Sequence, residues 1–166
     1  MEPHFEHDDV ITKEYGKQLL SFDNLFAAKA YFYEVRKEQL SLLEQLCEEF
    51  TIPFTYTIHS LQKLEEFYFS LFQQNLFFDL QVTIEEVEQC LSLYVCETLI
   101  RNYGSDAEWI VQEYAFEDKK YTMGIRYGRN HLFFENMFPH LYLMKKDASS
   151  GVLTHRYERM KKFCKE

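Results

Sequence analysis

The side chains best suited to binding chemistry lie where a helical sequence pattern gives way to an alternating one. Glu97 and Arg101 are four residues apart with the carboxylate first, the favourable order for an ion pair on one face of a helix. Arginine adds a planar fork of donors that matches carboxylate and phosphate groups. We predict a polar ligand or partner site from six residues at this junction: Glu97, Arg101, Trp109, Arg126, Arg129 and His131.

A purely structural interpretation of this junction is also open. Glu97 and Arg101 could be an ordinary helix ion pair, Gly104 a left-handed residue past the helix end, and Trp109 an anchor for a sheet. Structural ion pairs of this kind are common. The structural interpretation is the stronger of the two on sequence alone.

The local signatures of common active sites are absent from the sequence. It contains no Gly-rich phosphate loop, no Cys-x-x-Cys pair, no His-Glu-x-x-His and no Gly-x-Ser-x-Gly. Histidine can act as a general acid or base, but no nucleophile is visibly coupled to His131 or His140. Residues 4–9 contain metal-compatible side chains in a terminal segment. We therefore predict no catalytic residue, no metal site and no cofactor, and the sequence leans against an enzyme without excluding one.

The cysteines and the apolar segments bear on the compartment. Four widely spaced cysteines, at positions 47, 90, 96 and 164, predict reduced, packed thiols. The acidic N-terminus lacks the basic and apolar regions of a secretory signal. No uncharged apolar stretch approaches the roughly 20 residues needed to cross a bilayer. These features predict a cytoplasmic protein with no membrane partner.

The net charge of −9 is unevenly distributed along the chain. Residues 1–118 contain seven Lys or Arg against 23 Asp or Glu, whereas residues 119–166 contain eleven against four. The acidic bulk argues against nucleic-acid binding, which depends on clustered Lys and Arg. It favours another protein as partner, a basic one in particular. The basic C-terminal segment is expected to pack beside the acidic helices of the same molecule.

Hydrophobic spacing predicts three main helices in the first part of the chain. The first is about 27 residues long, begins at a cap formed by Ser21 or Asp23, and stops before Pro53. The second begins at Ser60. The third has the clearest start, because Thr83 and Glu86 form the Ser/Thr-x-x-Glu pattern of a capping box.

After Gly104 the hydrophobic period changes to two, which is typical of strands joined by short polar turns. The predicted strands are 108–116, 121–127 and 131–135. Residues 138–146 are compatible with either a helix or a strand, and a basic C-terminal helix follows with Leu153, Tyr157, Met160 and Cys164 facing inward. We predict an α+β fold: an N-terminal layer of three main helices, a small antiparallel β-meander and a C-terminal helix. The whole chain, 1–166, is expected to form one domain, with the order of residues 1–20 left open.

The run from Leu93 to Gly104, followed by Trp109, resembles a pattern in small bacterial α+β proteins of unknown function. There a helix ending in Tyr-x-Gly-Glu-x-Ile-Arg, then Gly and Trp, leads into a short antiparallel sheet. Phe138-Pro139 with Lys145-Lys146 is similar to a proline-started helix after that sheet. The resemblance covers roughly residues 93–146 and departs from the pattern at Cys96, where a glycine is expected. It implies an α+β domain and assigns no activity and no site residue.

Three functions are compatible with these observations. The first is an accessory, regulatory or toxin-neutralising bacterial protein that binds another protein through an acidic helical surface. The second is a small-ligand-binding protein or an enzyme with a dispersed polar site at the junction of the third helix and the meander. The third is a self-associating structural protein, suggested by Phe26, Tyr31, Tyr33 and Phe67 outside the main apolar stripes. We commit to the first.

Overall fold

The chain builds helices first, then a sheet, then a last helix. The computed structural model describes residues 14–104, 106–133, 136–144 and 151–165, with only the backbone described for 163–165. The helices are α1 (Leu25–Glu49), α2 (Ile58–Gln73), α3 (Ile84–Asn102) and α4 (Val152–Lys165), and the strands are β1 (Ala107–Glu113), β2 (Tyr121–Tyr127) and β3 (Asn130–Phe133). Residues 14–18 form a further helical turn. The predicted α+β class is confirmed.

The start of α3 matches the predicted capping box. Thr83 Oγ1 accepts a hydrogen bond from the Glu86 amide at 3.0 Å, and Glu86 Oε2 accepts one from the Thr83 amide at 3.0 Å. Val87 is buried, and Val82 packs against the same core. This is the arrangement of a hydrophobic staple, which fixes the direction in which the chain enters the helix.

The start of α1 differs from the prediction. Asn24 is the cap, because its side-chain oxygen accepts a hydrogen bond from the Ala27 amide at 2.8 Å. Ser21 instead pairs with Lys120 in an isolated β-bridge. The prediction of Ser21 or Asp23 was wrong because the chain before Asn24 is held in an extended conformation by the sheet edge.

The start of α2 also lies earlier than predicted. Thr57 is the cap, with its hydroxyl accepting a hydrogen bond from the Ser60 amide at 3.1 Å. Ser60 lies inside the first turn of the helix and is fully buried. Its hydroxyl donates to the Pro53 carbonyl at 2.8 Å and shares a short hydrogen bond with the Tyr94 hydroxyl. Ser60 therefore connects α2 to α3 instead of capping α2.

The turn after α3 does not use a left-handed glycine. Tyr103 follows the last helical residue, and the amides of Asp106 and Ala107 both donate to its carbonyl, at 2.8 and 2.9 Å. Gly104 does not have the positive φ that was predicted for it. The tight turn around the Tyr103 carbonyl carries the chain directly into β1.

The three strands form an antiparallel sheet in the order β1-β2-β3. β1 ends at Glu113, three residues before the predicted end, and β2 has the predicted bounds. β3 begins at Asn130, and the predicted residues 134 and 135 lie outside the described part of the chain. Trp109 pairs with Ile125, and Ile125 pairs with Leu132. The predicted meander is confirmed.

α3 occupies the centre of the molecule. Eleven of its 19 residues are buried, and it packs against α1, α2, α4 and β1. The main core joins the helices to one end of the sheet, while a smaller cluster, which includes Ala28, Leu93 and Met123, lies between α1 and the sheet. Among the described residues, no helix combines the length and the apolar character that crossing a membrane requires.

A buried carboxylate ties the segment after the sheet to the helices. Glu88 is 2% exposed and accepts hydrogen bonds from the Tyr68 hydroxyl (2.9 Å), the Leu141 amide (3.0 Å) and the Asn136 side chain (3.3 Å). Residues Leu141–Leu143 form a single 3₁₀ turn, which settles the choice that the sequence left open for this part of 138–146. Lys145 and Lys146 lie outside the described residues.

α4 packs against α2 and α3, as expected for a basic segment beside the acidic helices. Leu153, Tyr157 and Met160 are buried as predicted, and the side chain of Cys164 lies outside the described part. The Leu153 amide donates to Glu65 Oε1 at 2.9 Å, so a carboxylate from α2 binds an otherwise free amide at the start of α4.

Candidate functional site

Three of the six predicted site residues meet where α3 is followed by β1. Trp109 Nε1 donates to Glu97 Oε2 at 2.6 Å, and Arg101 Nε donates to Glu97 Oε1 at 3.3 Å. The Glu97 side chain is 17% exposed, whereas that of Arg101 is 56% exposed. Both oxygens of Glu97 therefore accept hydrogen bonds, and this carboxylate fixes the positions of the indole and the guanidinium group.

The other three predicted residues lie elsewhere. Arg126 pairs in register with Glu108 and with His131, and it forms an ion pair with Glu108. Successive side chains of a strand point to opposite faces, so Glu108 and Trp109 face apart. Arg126 and His131 therefore lie on the opposite face from Trp109, and Arg129 is exposed in the turn between β2 and β3. The structure divides the predicted set into two groups.

Two residues that the sequence did not single out complete the group around Trp109. The Arg36 guanidinium of α1 lies 5.3 Å from the centre of the Trp109 ring and 5.0 Å from that of Tyr33. The Arg101 guanidinium lies 3.9 Å from the centre of the Tyr56 ring. Cation–π contacts of this kind are worth about 0.5–2 kcal/mol, depending on desolvation. Each arginine is therefore held against an aromatic surface.

These residues border an open groove of about 740 Å³ between α1 and the α3–β1 junction, which we call the α1 groove. Its lining includes Tyr33, Arg36, Glu44, Tyr56, Arg101 and Trp109. α1 supplies one wall and the Glu97 carboxylate holds the opposite wall together. The groove combines aromatic rings with charges of both signs, so it suits a ligand or a protein segment that carries both apolar and charged groups.

Tyr56 is a fixed, neutral part of this wall. Burial raises the pKa of its phenol from 10.0 to about 12, although the Arg101 charge acts in the opposite direction. Its ring stacks on Tyr94 with 4.7 Å between ring centres, and its amide donates to the Tyr94 hydroxyl at 2.8 Å. Tyr56 can therefore offer a ring face and a hydroxyl group near neutral pH, but no phenolate.

The described residues offer no metal centre and no disulfide. No three His, Cys, Asp or Glu side chains in this part of the chain lie close enough together to hold a metal ion. Cys47, Cys90 and Cys96 are buried, as the sequence predicted for packed thiols. The N-terminal histidines and aspartates of residues 4–9 lie outside the described part.

The sequence did carry a partial signal for the missing residues. Arg36 and Tyr33 lie three residues apart on α1, so they share a helix face that continues to Glu44. Nothing in a single sequence indicates that this face lies beside Trp109. Tyr56 belongs to a short connection between helices, and only its tertiary contact with Arg101 identifies it.

The family match covers every residue that lines the α1 groove. A family model described as "Uncharacterised protein YwmA" matches residues 21–161. A protein of Bacillus subtilis (strain 168) named "Uncharacterized protein YwmA" is 38% identical over 135 residues, which are 81% of this chain and 85% of that protein. No solved structure matches the chain. The similarity extends well beyond residues 93–146, where the sequence pattern indicated small bacterial proteins of unknown function. The chain belongs to the YwmA family.

Proposed function

We propose that this protein binds a basic partner protein through the α1 groove and the adjoining acidic half of α1. The observation that carries the proposal is the charge of the helix surface beside the groove. The exposed residues Glu38, Glu44, Glu48 and Glu49 all carry carboxylates, and no Lys or Arg occurs between positions 38 and 49. A partner with complementary Lys and Arg side chains fits this surface.

Helix stability does not explain these carboxylates. The C-terminal end of a helix carries partial negative charge, so acidic side chains in the last turns are unfavourable by about 0.3–1 kcal/mol each. The last turn of α1 has no basic residue, and Glu48 and Glu49 lie in it. An arrangement that costs helix stability supports selection for a surface that another molecule recognises.

The neighbouring groove supplies the apolar part of such an interface. Trp109, Tyr33 and Tyr56 are half-buried residues of the groove lining. Tryptophan, tyrosine and arginine are the residue types that most often dominate the binding energy of protein interfaces. Because Glu97 and the two arginines already hold these rings in place, a partner would meet a surface that needs little ordering on binding.

A charge-reversal pair tests the role of the acidic surface. Glu44→Lys with Glu48→Lys inverts two charges and also improves the match to the helix dipole, so the variant is expected to fold at least as well as the wild type. The matched control is Asp79→Lys with Asp118→Lys, which inverts two exposed charges in loops outside α1.

The experiment captures proteins from host lysate with the tagged wild-type chain, identifies them by mass spectrometry, and purifies the recovered protein. Its affinity for the wild type and for both variants is then measured by calorimetry at low salt and at about 0.15 M, where the Debye length is about 8 Å. We expect a basic protein whose affinity falls at least about tenfold, or 1.4 kcal/mol, with the α1 pair and changes little with the control. Equal effects of the two pairs would contradict the proposal, as would recovery of only a second copy of this chain.

A further inference from the structure

We infer that a second cavity, between α1 and the sheet, binds a small apolar molecule that carries one carboxylate group. This α1–sheet cavity has a volume of about 310 Å³ and shares only Arg36 with the α1 groove. It lies at the low end of the roughly 300–1,000 Å³ range of ligand pockets. The inference does not depend on the proposed partner protein.

Most of the cavity wall is apolar and preformed. Leu19, Leu93 and Met123 are buried, and Phe32 and Tyr121 add ring surface. These side chains come from the segment before α1, from α1 itself, from α3 and from β2. Four separate parts of the chain therefore border a partly open apolar space that can cover the body of a small ligand.

Two glutamines on the cavity wall have hydrogen-bonding groups that are not used within the protein. Gln39 Nε2 of α1 donates to Gln89 Oε1 of α3 at 3.3 Å, and both residues line the cavity. The structure shows no partner for Gln39 Oε1 or Gln89 Nε2 within the described chain. The pair can therefore accept one hydrogen bond from a ligand and donate another.

Arg36 determines the charge of the ligand. It is the one charged residue in the described lining of the cavity. Its guanidinium carbon lies 5.0 Å from the centre of the Tyr33 ring and 5.3 Å from that of the Trp109 ring, and its N–H donors have no hydrogen-bond acceptor among the described residues. A guanidinium group held in this way matches a carboxylate in a planar, bidentate geometry. The ligand is therefore anionic at the Arg36 end and apolar at the Leu19 and Met123 end.

A void left by imperfect packing would look different. Empty cavities in proteins are lined by apolar groups, because buried polar groups are almost always satisfied. This cavity instead combines a pair of amide side chains with unused hydrogen-bonding groups and a lone cation. Few, separate polar groups in an apolar space are what orient a small molecule.

The test uses phenylacetate and octanoate as probes, with phenylacetamide and octanamide as uncharged controls of the same shape. Trp109 is the only tryptophan of the chain and lies under Arg36, so its fluorescence reports occupancy of the Arg36 end. We expect saturable binding of at least one carboxylate, with a raised melting temperature, and at least tenfold weaker binding of the matching amide.

Two variants separate the contributions. Arg36→Gln should remove the preference for the carboxylate over the amide. Arg101→Gln is the matched control, because Arg101 lines the α1 groove but not this cavity. The inference is overturned if no carboxylate binds saturably, if the amides bind equally well, or if Arg101→Gln lowers affinity as much as Arg36→Gln does.

Discussion

Individual carboxylates in this molecule differ in their structural role according to the hydrogen-bond donors that they bind. Glu97 binds an indole N–H and a guanidinium group across two elements, whereas Glu108 forms an ion pair between side chains that are each about half exposed. Exposed ion pairs contribute about 0–1 kcal/mol, because water screens the charges. The indole hydrogen bond of Glu97 is largely shielded from water, so its loss leaves a donor without a partner.

Glu97→Ala should lower the free energy of unfolding by about 1–3 kcal/mol, because the Trp109 N–H and Arg101 both lose their acceptor. Glu97→Gln should cost less, since an amide oxygen can still accept the indole hydrogen bond. Urea denaturation followed by the fluorescence of the single tryptophan measures both effects. Glu108→Gln serves as the control. If it lowers the free energy of unfolding as much as Glu97→Ala does, Glu97 has no special role.

Helix starts are the elements at which local sequence and tertiary structure compete. Thr83 caps α3 as its sequence predicts, whereas Asn24 and Thr57 take the caps that were assigned to neighbouring residues. Ser60 is used for contacts with Pro53 and Tyr94, and Ser21 is used by the sheet edge. A residue that could cap a helix therefore does not cap it where another part of the chain takes up its hydrogen bonds.

Asn24→Ala should lower the free energy of unfolding by about 0.5–2 kcal/mol, because the Ala27 amide loses its acceptor. Asp23→Ala is the matched control, since Asp23 is exposed and does not cap the helix in the structure. Thermal or urea denaturation of the two variants compares them directly. A larger loss for Asp23→Ala than for Asn24→Ala would mean that the helix starts where the sequence alone placed it.

A second prediction at this scale concerns Glu88, which binds the 3₁₀ turn at Leu141 to α3. Glu88→Ala should cost at least about 3 kcal/mol, since the Tyr68 hydroxyl, the Asn136 amide group and the Leu141 amide all lose a buried acceptor. Hydrogen exchange at the Leu141 amide should quicken more than exchange in the centre of α3. Glu85→Ala, an exposed carboxylate on the same helix, is the control. Uniform exchange changes across the protein would contradict a local role for Glu88.

The order of elements could be predicted because it depends on local periodicity. The alternation of the strands and the capping box at Thr83 depend only on residues close together in the sequence, so the meander and the start of α3 can be predicted from them. The groove could not be predicted in full, because Arg36 and Trp109 are 73 positions apart in the sequence. The alternation along β2 also places Arg126 on the sheet face opposite to Trp109. A site predicted from residue types alone, without assigning each side chain to a face, therefore includes residues that do not meet.

At the scale of the whole molecule, burial sets the protonation state of the core. Burial raises the pKa of the Cys47 and Cys90 thiols from 9.0 to about 12, with nearby glutamates adding to the effect. Burial is also the main cause of the raised pKa of the Tyr94 and Tyr157 phenols. Tyr68 shifts in the same direction, through burial and its hydrogen bond to Glu88. The folded core therefore keeps these groups protonated at pH values where the unfolded chain releases protons.

This difference predicts that the protein is more sensitive to alkali than its exposed charges suggest. Between pH 9 and about 12 the folded state binds more protons than the unfolded state, so the free energy of unfolding must fall as pH rises. The stabilisation is complete below about pH 9 and is lost at up to about 1.4 kcal/mol per pH unit for each retained proton. Urea denaturation at pH 7, 9 and 10 measures the slope.

Cys47→Ala with Cys90→Ala removes two of these protons, so it should flatten the slope even though the cavities it creates lower stability at every pH. A profile that is flat up to pH 10, or a slope that the double variant leaves unchanged, would mean that the thiols do not contribute.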